Sequence, residues 1–210
     1  MNNGYKIKNF IFDWSGVISD DFQLVFRTYL KIFEYYNKTP LTLEEFRTCF
    51  RLPYMDFCRE YLEVDHEKEL SEIFKKFYTE GNFIPKPIMG VEDILQKLKQ
   101  LNKVLIVLSS HSFVSKETKR FFPDKDYFDN IYEDIPDKEK AIEKVMQEMN
   151  FEVEETVYIG DMVHDIKAGK KAKIKTAAIL TGYQSIDVLQ KENPDYILST
   201  LKEIFRIIPT

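Results

Sequence analysis

The sequence has few cysteines, no long cationic block and no long apolar run, and each absence excludes a class of protein. Its only cysteines are Cys49 and Cys58, whose C-x8-C spacing matches no zinc-binding pattern. We therefore expect two reduced packing thiols, as is usual in a reducing compartment. The formal net charge is −5 and no long Lys/Arg block is present, which disfavours a broad nucleic-acid surface.

The apolar segments are short as well. None approaches a membrane-spanning length, and the N-terminal stretch MNNGYKIKNF lacks the apolar run of a secretory signal. We expect a cytoplasmic protein with no membrane and no nucleic-acid partner. What the chain does contain, 44% hydrophobic and 31% charged residues, is typical of globular proteins, and its 210 residues suffice for one core domain with a smaller appended one.

Apolar periodicity divides the chain into two kinds of sequence. Residues 22–80 carry apolar side chains at three- and four-residue spacing, which predicts four amphipathic helices. Thr42 followed by Glu45 resembles a capping box at the start of one of them. Around this segment, a short apolar strand over Lys6–Phe12 and a strand-helix alternation after residue 90 predict an α/β fold with a mainly parallel sheet.

Polar residues follow several of the predicted strands. In an open parallel sheet, ligands bind outside the carboxyl ends of the strands, so these positions are the ones to examine. The residues that follow strands or open the next helix are Asp13, Ser109, Ser110, Lys138, Asp161 and Asp165. Carboxylates suit a hard cation such as Mg²⁺, and a hydroxyl with an ammonium suits the oxygens of a phosphoryl group.

All of these residues except Asp13 also have an ordinary structural explanation. Asp161 and Asp165 can cap a helix and interact favourably with its dipole. Lys138 can be a solvated surface lysine, and the serine pair can be helix N-cap residues. Their joint placement at one end of the predicted sheet is what favours a site.

The motifs resemble those of the haloacid dehalogenase-like hydrolases, a superfamily of aspartyl-phosphate phosphatases. FIFDWSGVISD resembles the first motif, VLIVLSS the second, Lys138 the third, and YIGDMVHDI the fourth motif G-D-x-x-x-D. The segments GDMVHDIKAG, TGYQS and NPDYILSTLKEI are most similar to the phosphoglycolate phosphatase and β-phosphoglucomutase branch. The similarity covers essentially the whole chain.

This resemblance implies a Rossmann-like core with an inserted α-helical cap domain. It assigns residues 1–20 and 84–210 to the core and residues 21–83 to the cap. It implies a Mg²⁺-dependent phosphohydrolase, active as a monomer or homodimer on a small phosphorylated metabolite. In this resemblance Asp13 is the nucleophile and a metal ligand, and Asp161 and Asp165 are further metal ligands. The phosphoryl group is bound by Ser109, Ser110 and Lys138, with Lys140 as the alternative to Lys138.

The first motif departs from the family at Ser15. The family has an aspartate there, which is the general acid/base and also ligates Mg²⁺ through its backbone carbonyl. Serine keeps the carbonyl but cannot do acid/base work near neutral pH, and such catalysis typically contributes about 10²–10⁴-fold. Ser15 is therefore a catalytic position with an unexpected residue.

Three explanations of Ser15 stay open from the sequence. The protein can be a phosphohydrolase whose leaving groups need little protonation, or that borrows an acid from Asp20, Asp21, His111 or the cap. It can be a phosphonatase-like hydrolase, although the segment FRLPYMDFCREYL lacks the lysine which that chemistry needs there. It can also be a catalytically weak relative that binds a phosphorylated ligand or a protein partner.

Overall fold

A six-stranded sheet, parallel throughout, forms the centre of the protein. A computed structural model describes residues 7–80 and 83–208. In chain order the strands are β1 (Asn9–Phe12), β2 (Ser19–Asp20), β3 (Lys86–Pro87), β4 (Val104–Leu108), β5 (Asn130–Tyr132), β6 (Thr156–Gly160), β7 (Lys175–Ile179) and β8 (Tyr196–Leu198). The large sheet has the order β5-β4-β1-β6-β7-β8, with β1 at its middle.

Helices cover the sheet and form the insertion. In chain order they are α1 (Phe22–Tyr35), α2 (Leu43–Cys49), α3 (Tyr54–Leu62), α4 (Glu67–Glu80), α5 (Val91–Gln100), α6 (Val114–Phe121), α7 (Lys138–Glu148), α8 (Val163–Lys171) and α9 (Ile186–Leu189). Short 3-10 segments lie at Val153–Glu155, Gln190–Glu192 and Leu201–Ile207. We call α1 to α4 the cap helices. No helix within the described ranges combines the length and the apolar character that crossing a bilayer requires.

The central strands are apolar on both faces because both faces are covered. Successive strand residues point to opposite sides, so Phe10 and Phe12 pack in one hydrophobic layer with α5. Ile11, between them, packs in the opposite layer with α7 and α8. All three side chains are fully buried, as expected for a parallel strand between two layers of helices.

The cap helices have a separate, largely aromatic core. Phe46 and Phe50 of this cluster stack with ring centroids 4.7 Å apart. At the start of α2, Thr42 Oγ1 accepts from the Glu45 amide, and the Glu45 carboxylate accepts from the Thr42 amide, so the predicted capping box is confirmed. The same core includes Met162 and Tyr183 from the sheet-bearing part. The cap therefore rests on the loops at the carboxyl end of the sheet.

Two short strands join the cap to the core. The antiparallel pair β2–β3 places Ser19 opposite Pro87 and Asp20 opposite Lys86. Periodicity did not predict this pair, because each strand has only two residues. It lies at the two ends of the segment that contains the cap helices.

The other elements follow the sequence prediction with small differences. The first strand begins at Asn9 instead of Lys6, which lies outside the described residues. The final strand β8 and the short helix α9 were not among the predicted elements. Cys49 and Cys58 are free thiols, and Cys58 is fully buried in the cap core.

Candidate active site

Three carboxylates meet where β1 and β6 end. Asp13 directly follows β1, Asp161 directly follows β6, and Asp165 lies in the first turn of α8. Because β1 and β6 are adjacent and parallel, their carboxyl ends share one edge of the sheet. One carboxylate oxygen from each residue lies within 4.8 Å of the others. All three residues are buried, so this cluster needs compensating positive charge.

Lys138 supplies part of that charge. It is the first residue of α7, and its Nζ lies 2.9 Å from Asp13 Oδ2 and 2.7 Å from Asp165 Oδ1. Burial works to lower the pKa of Lys138, but Asp13 and Asp165 outweigh it and hold this pKa above its usual value. Lys140 instead has an 84% exposed side chain and pairs with Asp137. The structure therefore places Lys138, and not its rival, in the cluster.

Asp13 is held by the turn that follows it. The Trp14 amide donates to Asp13 Oδ1 over 2.7 Å, while Oδ2 faces the lysine. Burial raises the pKa of Asp13 to about 6 even though Lys138 acts to lower it. The carboxylate thus has a fixed orientation with both oxygens in use.

Asp165 serves both the helix and the cluster. Its Oδ2 accepts from the Met162 amide over 3.0 Å and so caps α8. Its Oδ1 accepts from Lys138 Nζ and, over 3.0 Å, from the hydroxyl of Tyr158. Burial works to raise the pKa of Asp165, but neighbouring His164 and Lys138 hold it below its usual value. The capping and cluster roles that the sequence left as alternatives therefore occur together.

Asp161 has one carboxylate oxygen without a partner. Its Oδ2 accepts from the Tyr183 amide over 2.6 Å, whereas Oδ1 is buried and has no hydrogen-bond partner among the described residues. Burial, with the charges of Asp165 and Asp13, raises the pKa of Asp161 well above its usual value. A buried unpaired carboxylate oxygen is costly unless a cation or a donor reaches it. Asp161 Oδ1 is thus a free ligand atom inside the cluster.

Two glycines make room for this carboxylate. A Cβ on Gly182 would lie 1.9 Å from Asp161 Oδ2, and one on Gly16 would lie 2.5 Å from the same oxygen. Gly16 also has φ +72°, which L side chains rarely adopt. The Thr181 hydroxyl donates to the Gly16 carbonyl over 2.7 Å and fastens the two loops together. Larger residues at either glycine would displace Asp161.

The donor set fits a hard divalent cation. The cluster offers three carboxylates, one with an unpaired oxygen, against one buried ammonium. Mg²⁺ prefers oxygen ligands and is usually held by one or two carboxylates together with the substrate's phosphate. The three carboxylates, and the unpaired Asp161 Oδ1 above all, are thus of the kind that such an ion requires.

Three residues of the cluster, Asp13, Lys138 and Asp161, line the floor of a cavity of about 690 Å³ between the sheet and the cap, whereas Asp165 is fully buried. Ser109 follows β4, is buried, and accepts from the His111 amide over 3.2 Å. Ser110 is exposed, and Ser15 is half-buried. All three serines line the cavity together with Asp13, Lys138 and Asp161. The roof includes residues of α4: Ser71, Phe74, Lys75, Tyr78 and Thr79.

Asp21 is a further carboxyl group in the cavity wall. It precedes α1 but makes no side-chain cap, and it is 3% exposed. Its Oδ1 accepts from the Tyr183 hydroxyl over 3.2 Å. Burial raises the pKa of Asp21 to about 7, although the nearby Ser15 side chain acts to lower the pKa of this carboxyl. The sequence named Asp21 only as one of several candidate acids, because nothing in it shows which of them lies near Ser15.

His111 also lines the cavity, but its ring lies against Glu117. Its Nε2 lies 3.7 Å from Glu117 Oε2, and the Trp14 indole donates to the same oxygen over 2.7 Å. Burial lowers the pKa of His111. Asp20, the remaining acid named from the sequence, is exposed in the β2–β3 pair.

The family model for haloacid dehalogenase-like hydrolases matches residues 10–179. The chain belongs to this family. A pyrophosphatase PpaX from Halalkalibacterium halodurans is 24% identical over 210 residues, with 97% of each chain covered. A second PpaX, from Listeria monocytogenes, is 25% identical over 216 residues at the same coverage.

Solved structures of the family share the fold. A haloacid dehalogenase-like family protein from Streptococcus pneumoniae superposes with a TM-score of 0.76 at 18% identity, covering 97% of this chain and 99% of that one. A predicted phosphoglycolate phosphatase from Haemophilus somnus gives 0.76 at 16% identity, covering 97% and 98%. The predicted family and α/β fold are confirmed. The predicted enzyme class, a haloacid dehalogenase-like hydrolase with phosphatase-named relatives, is confirmed as well.

Proposed function

We propose that this haloacid dehalogenase-like hydrolase is a Mg²⁺-dependent phosphohydrolase of small phosphorylated metabolites, with Asp13 as the nucleophile. The observation that carries the proposal is the buried cluster of Asp13, Lys138, Asp161 and Asp165, of which the first three line the cavity. A carboxylate oxygen of Asp13 attacks phosphorus while the bond from phosphorus to the leaving oxygen breaks. The leaving group departs with the electron pair and takes up a proton. Water then attacks phosphorus, and inorganic phosphate leaves as the Asp13 carboxylate is restored.

The ion would be held by Asp13, Asp161 and Asp165, with the Ser15 backbone carbonyl that the family uses. Asp161 Oδ1 is the oxygen for which the ion would compensate most, because this atom is buried and has no hydrogen-bond partner among the described residues. When bound, Mg²⁺ supplies positive charge that offsets the charge of the phosphoryl group and of the carboxylates.

Lys138, Ser109 and Ser110 are proposed to bind the phosphoryl oxygens. Lys138 already neutralises part of the charge on Asp13, so the nucleophile and an anionic substrate can approach each other. The Ser109 hydroxyl hydrogen is free to donate, since in the structure its oxygen accepts from the His111 amide. Ser110 is exposed on the same cavity wall.

Asp21 is proposed to act as the general acid/base, a role that the Ser15 hydroxyl cannot fill near neutral pH. Its carboxyl group lines the same cavity as Asp13 and Ser15, and Ser15 stands at the position where the family carries its acid/base. Asp20 is exposed in the β2–β3 pair, and His111 lies against Glu117. The geometry therefore favours Asp21 among the acids that the sequence left open.

Leaving-group dependence tests the role of Asp21. A weakly basic leaving group such as a nitrophenolate needs little protonation, whereas an alkoxide needs much. Asp21→Asn should therefore lower turnover of alkyl phosphates far more than that of nitrophenyl phosphate, and adding Ser15→Asp should restore part of the loss. Equal losses on both substrate classes would contradict the assignment. Asp20→Asn, in the neighbouring exposed position, is the matched control.

Pyrophosphate is a candidate substrate. The relatives named PpaX are pyrophosphatases by name, and the phosphate that would leave from pyrophosphate is a weakly basic group. Both points agree with a first motif that lacks the usual acid. A screen of pyrophosphate, aryl, acyl and alkyl phosphates with Mg²⁺ or with EDTA tests the proposed function. We expect phosphate release only with Mg²⁺ and none from Asp13→Asn; metal-independent release would contradict it.

A phosphonatase-like activity is the second candidate. It is favoured by one observation, that Lys75 of α4 lines the cavity, since this chemistry requires a lysine to form a Schiff base with an aldehyde. Borohydride reduction in the presence of phosphonoacetaldehyde should then attach the substrate to Lys75. Phosphate-ester hydrolysis without any such adduct would exclude this candidate.

A further inference from the structure

The loop after β7 connects the carboxylate cluster to the cap. Its Tyr183 amide donates to Asp161 Oδ2, and its Gly182 lies so close that no Cβ would fit beside that carboxylate. The Gln184 amide also donates to the Asp161 carbonyl over 3.4 Å. The position of Asp161 therefore depends on where this loop lies.

Gln184 bridges three parts of the molecule through its side chain. Its Oε1 accepts from the Val163 amide over 2.6 Å, at the start of the helix that carries Asp165. Its Nε2 donates to the Phe50 carbonyl over 2.8 Å, at the end of cap helix α2. An N–H can only donate and a carbonyl can only accept, so one orientation of the amide satisfies both partners. Gln184 is only 3% exposed.

The cap side of this bridge is reinforced by Arg47 of α2. Its guanidinium donates to the Leu180 carbonyl over 3.0 Å and reaches the Gln184 carbonyl at 3.4 Å. In return, the Ser185 amide donates to the Arg47 carbonyl over 3.2 Å. The end of α2 and the loop thus exchange polar contacts in both directions.

We propose that Gln184 is a positioning residue that couples docking of the cap to the geometry of the Asp161 and Asp165 carboxylates. When α2 is docked, Gln184 is held between Phe50 and Val163, and the loop holds Asp161 in its present orientation. When α2 moves away, Gln184 loses its cap partner, and the loop loses the contacts of Arg47. The same coupling acts in reverse, because linkage between two binding events is reciprocal: an ion held by the cluster favours the docked cap. The part that concerns Mg²⁺ rests on the proposed function.

Gln184→Glu separates the two hydrogen bonds. A carboxylate at this position can still accept from the Val163 amide, but it has no N–H to donate to Phe50. Because a buried carboxylate can also disturb folding, Arg47→Met is the second variant, which removes cap contacts without placing a charge in the interior. Gln190→Glu, the same chemical change at an exposed position, is the matched control.

The experiment records NMR spectra of the full chain and has two readouts. Hydrogen exchange of the Tyr183 amide, in EDTA, reports how firmly the loop holds Asp161. We expect exchange about five-fold faster or more in Gln184→Glu and in Arg47→Met, although neither change touches that amide. A titration with Mg²⁺ alone should show affinity reduced by about five-fold or more in both variants, in the range typical of coupled sites. Gln190→Glu should match the parent in both.

The two readouts distinguish failure of this inference from failure of the proposed function. If the parent binds no Mg²⁺, the metal part of the proposed function is wrong, and the exchange of the Tyr183 amide alone decides the positioning role. Unchanged Tyr183 exchange in both variants, or parent-like Mg²⁺ affinity in both, would overturn the coupling. A purely structural role would lower the global stability without selectively accelerating that amide.

Discussion

Asp21→Asn is expected to remove a pH-dependent part of the folding free energy. Burial raises the pKa of this carboxyl from 3.8 to about 7, so between these values the folded protein keeps a proton that the unfolded chain has lost. The stabilisation by this proton is complete below about pH 4 and is lost as the pH rises through about 7. Between pH 5 and pH 8 the loss amounts to about 2 to 3 kcal/mol in the parent. Asparagine does not titrate and contributes no such term.

Urea unfolding in EDTA, followed by the fluorescence of Trp14, measures this effect. Trp14 is the only tryptophan of the chain and is fully buried beside Asp13, so its emission reports unfolding of the core. The free energy of unfolding should fall with pH more steeply in the parent than in Asp21→Asn, and the two losses between pH 5 and pH 8 should differ by about 2 to 3 kcal/mol. Asp20→Asn should retain the parent's slope. Parallel slopes in parent and Asp21→Asn would refute the burial argument for this residue.

Three further predictions concern the carboxylate cluster. Lys138→Met should lower phosphate release by about 100-fold or more, as expected when a charge-stabilising donor is removed. Lys140→Met should release phosphate at nearly the rate of the parent in the same assay, and equal losses in the two variants would contradict the role proposed for Lys138. Gly182→Ala should weaken Mg²⁺ binding in an NMR titration, because its Cβ would lie 1.9 Å from Asp161 Oδ2. Unchanged Mg²⁺ affinity would show that the loop can move to accommodate the methyl group without displacing Asp161. Mg²⁺ should raise the urea midpoint of the parent by mass action and leave that of Asp161→Asn nearly unchanged.

The sequence predicted the floor of the site because parallel strands impose their own geometry. Asp13 and Asp161 each follow a buried strand, and adjacent parallel strands bring their carboxyl ends together. Lys138 could be preferred over Lys140 only by its place at the start of a helix. The structure separates the two by burial and by the ion pairs of Lys138 with Asp13 and Asp165.

The cavity wall could not be predicted in the same way. Asp21 and Gln184 form hydrogen bonds with residues far away in the chain, Tyr183 for the first and Phe50 for the second. Periodicity shows which residues of a helix share a face, but it does not show how the cap is placed on the core. The small strand pair β2–β3 was missed for a related reason, since two-residue strands carry no period.

The central claim is that Asp13 is the nucleophile, and peptide mapping of protein quenched in acid during turnover tests it most directly. With Mg²⁺ and a nitrophenyl or acyl phosphate, a phosphoryl group should be found on the peptide that contains Asp13. The label should be absent when EDTA replaces Mg²⁺, and Asp13→Asn should show neither label nor phosphate release. A phosphoryl group on another residue, or steady phosphate release by Asp13→Asn, would contradict the account.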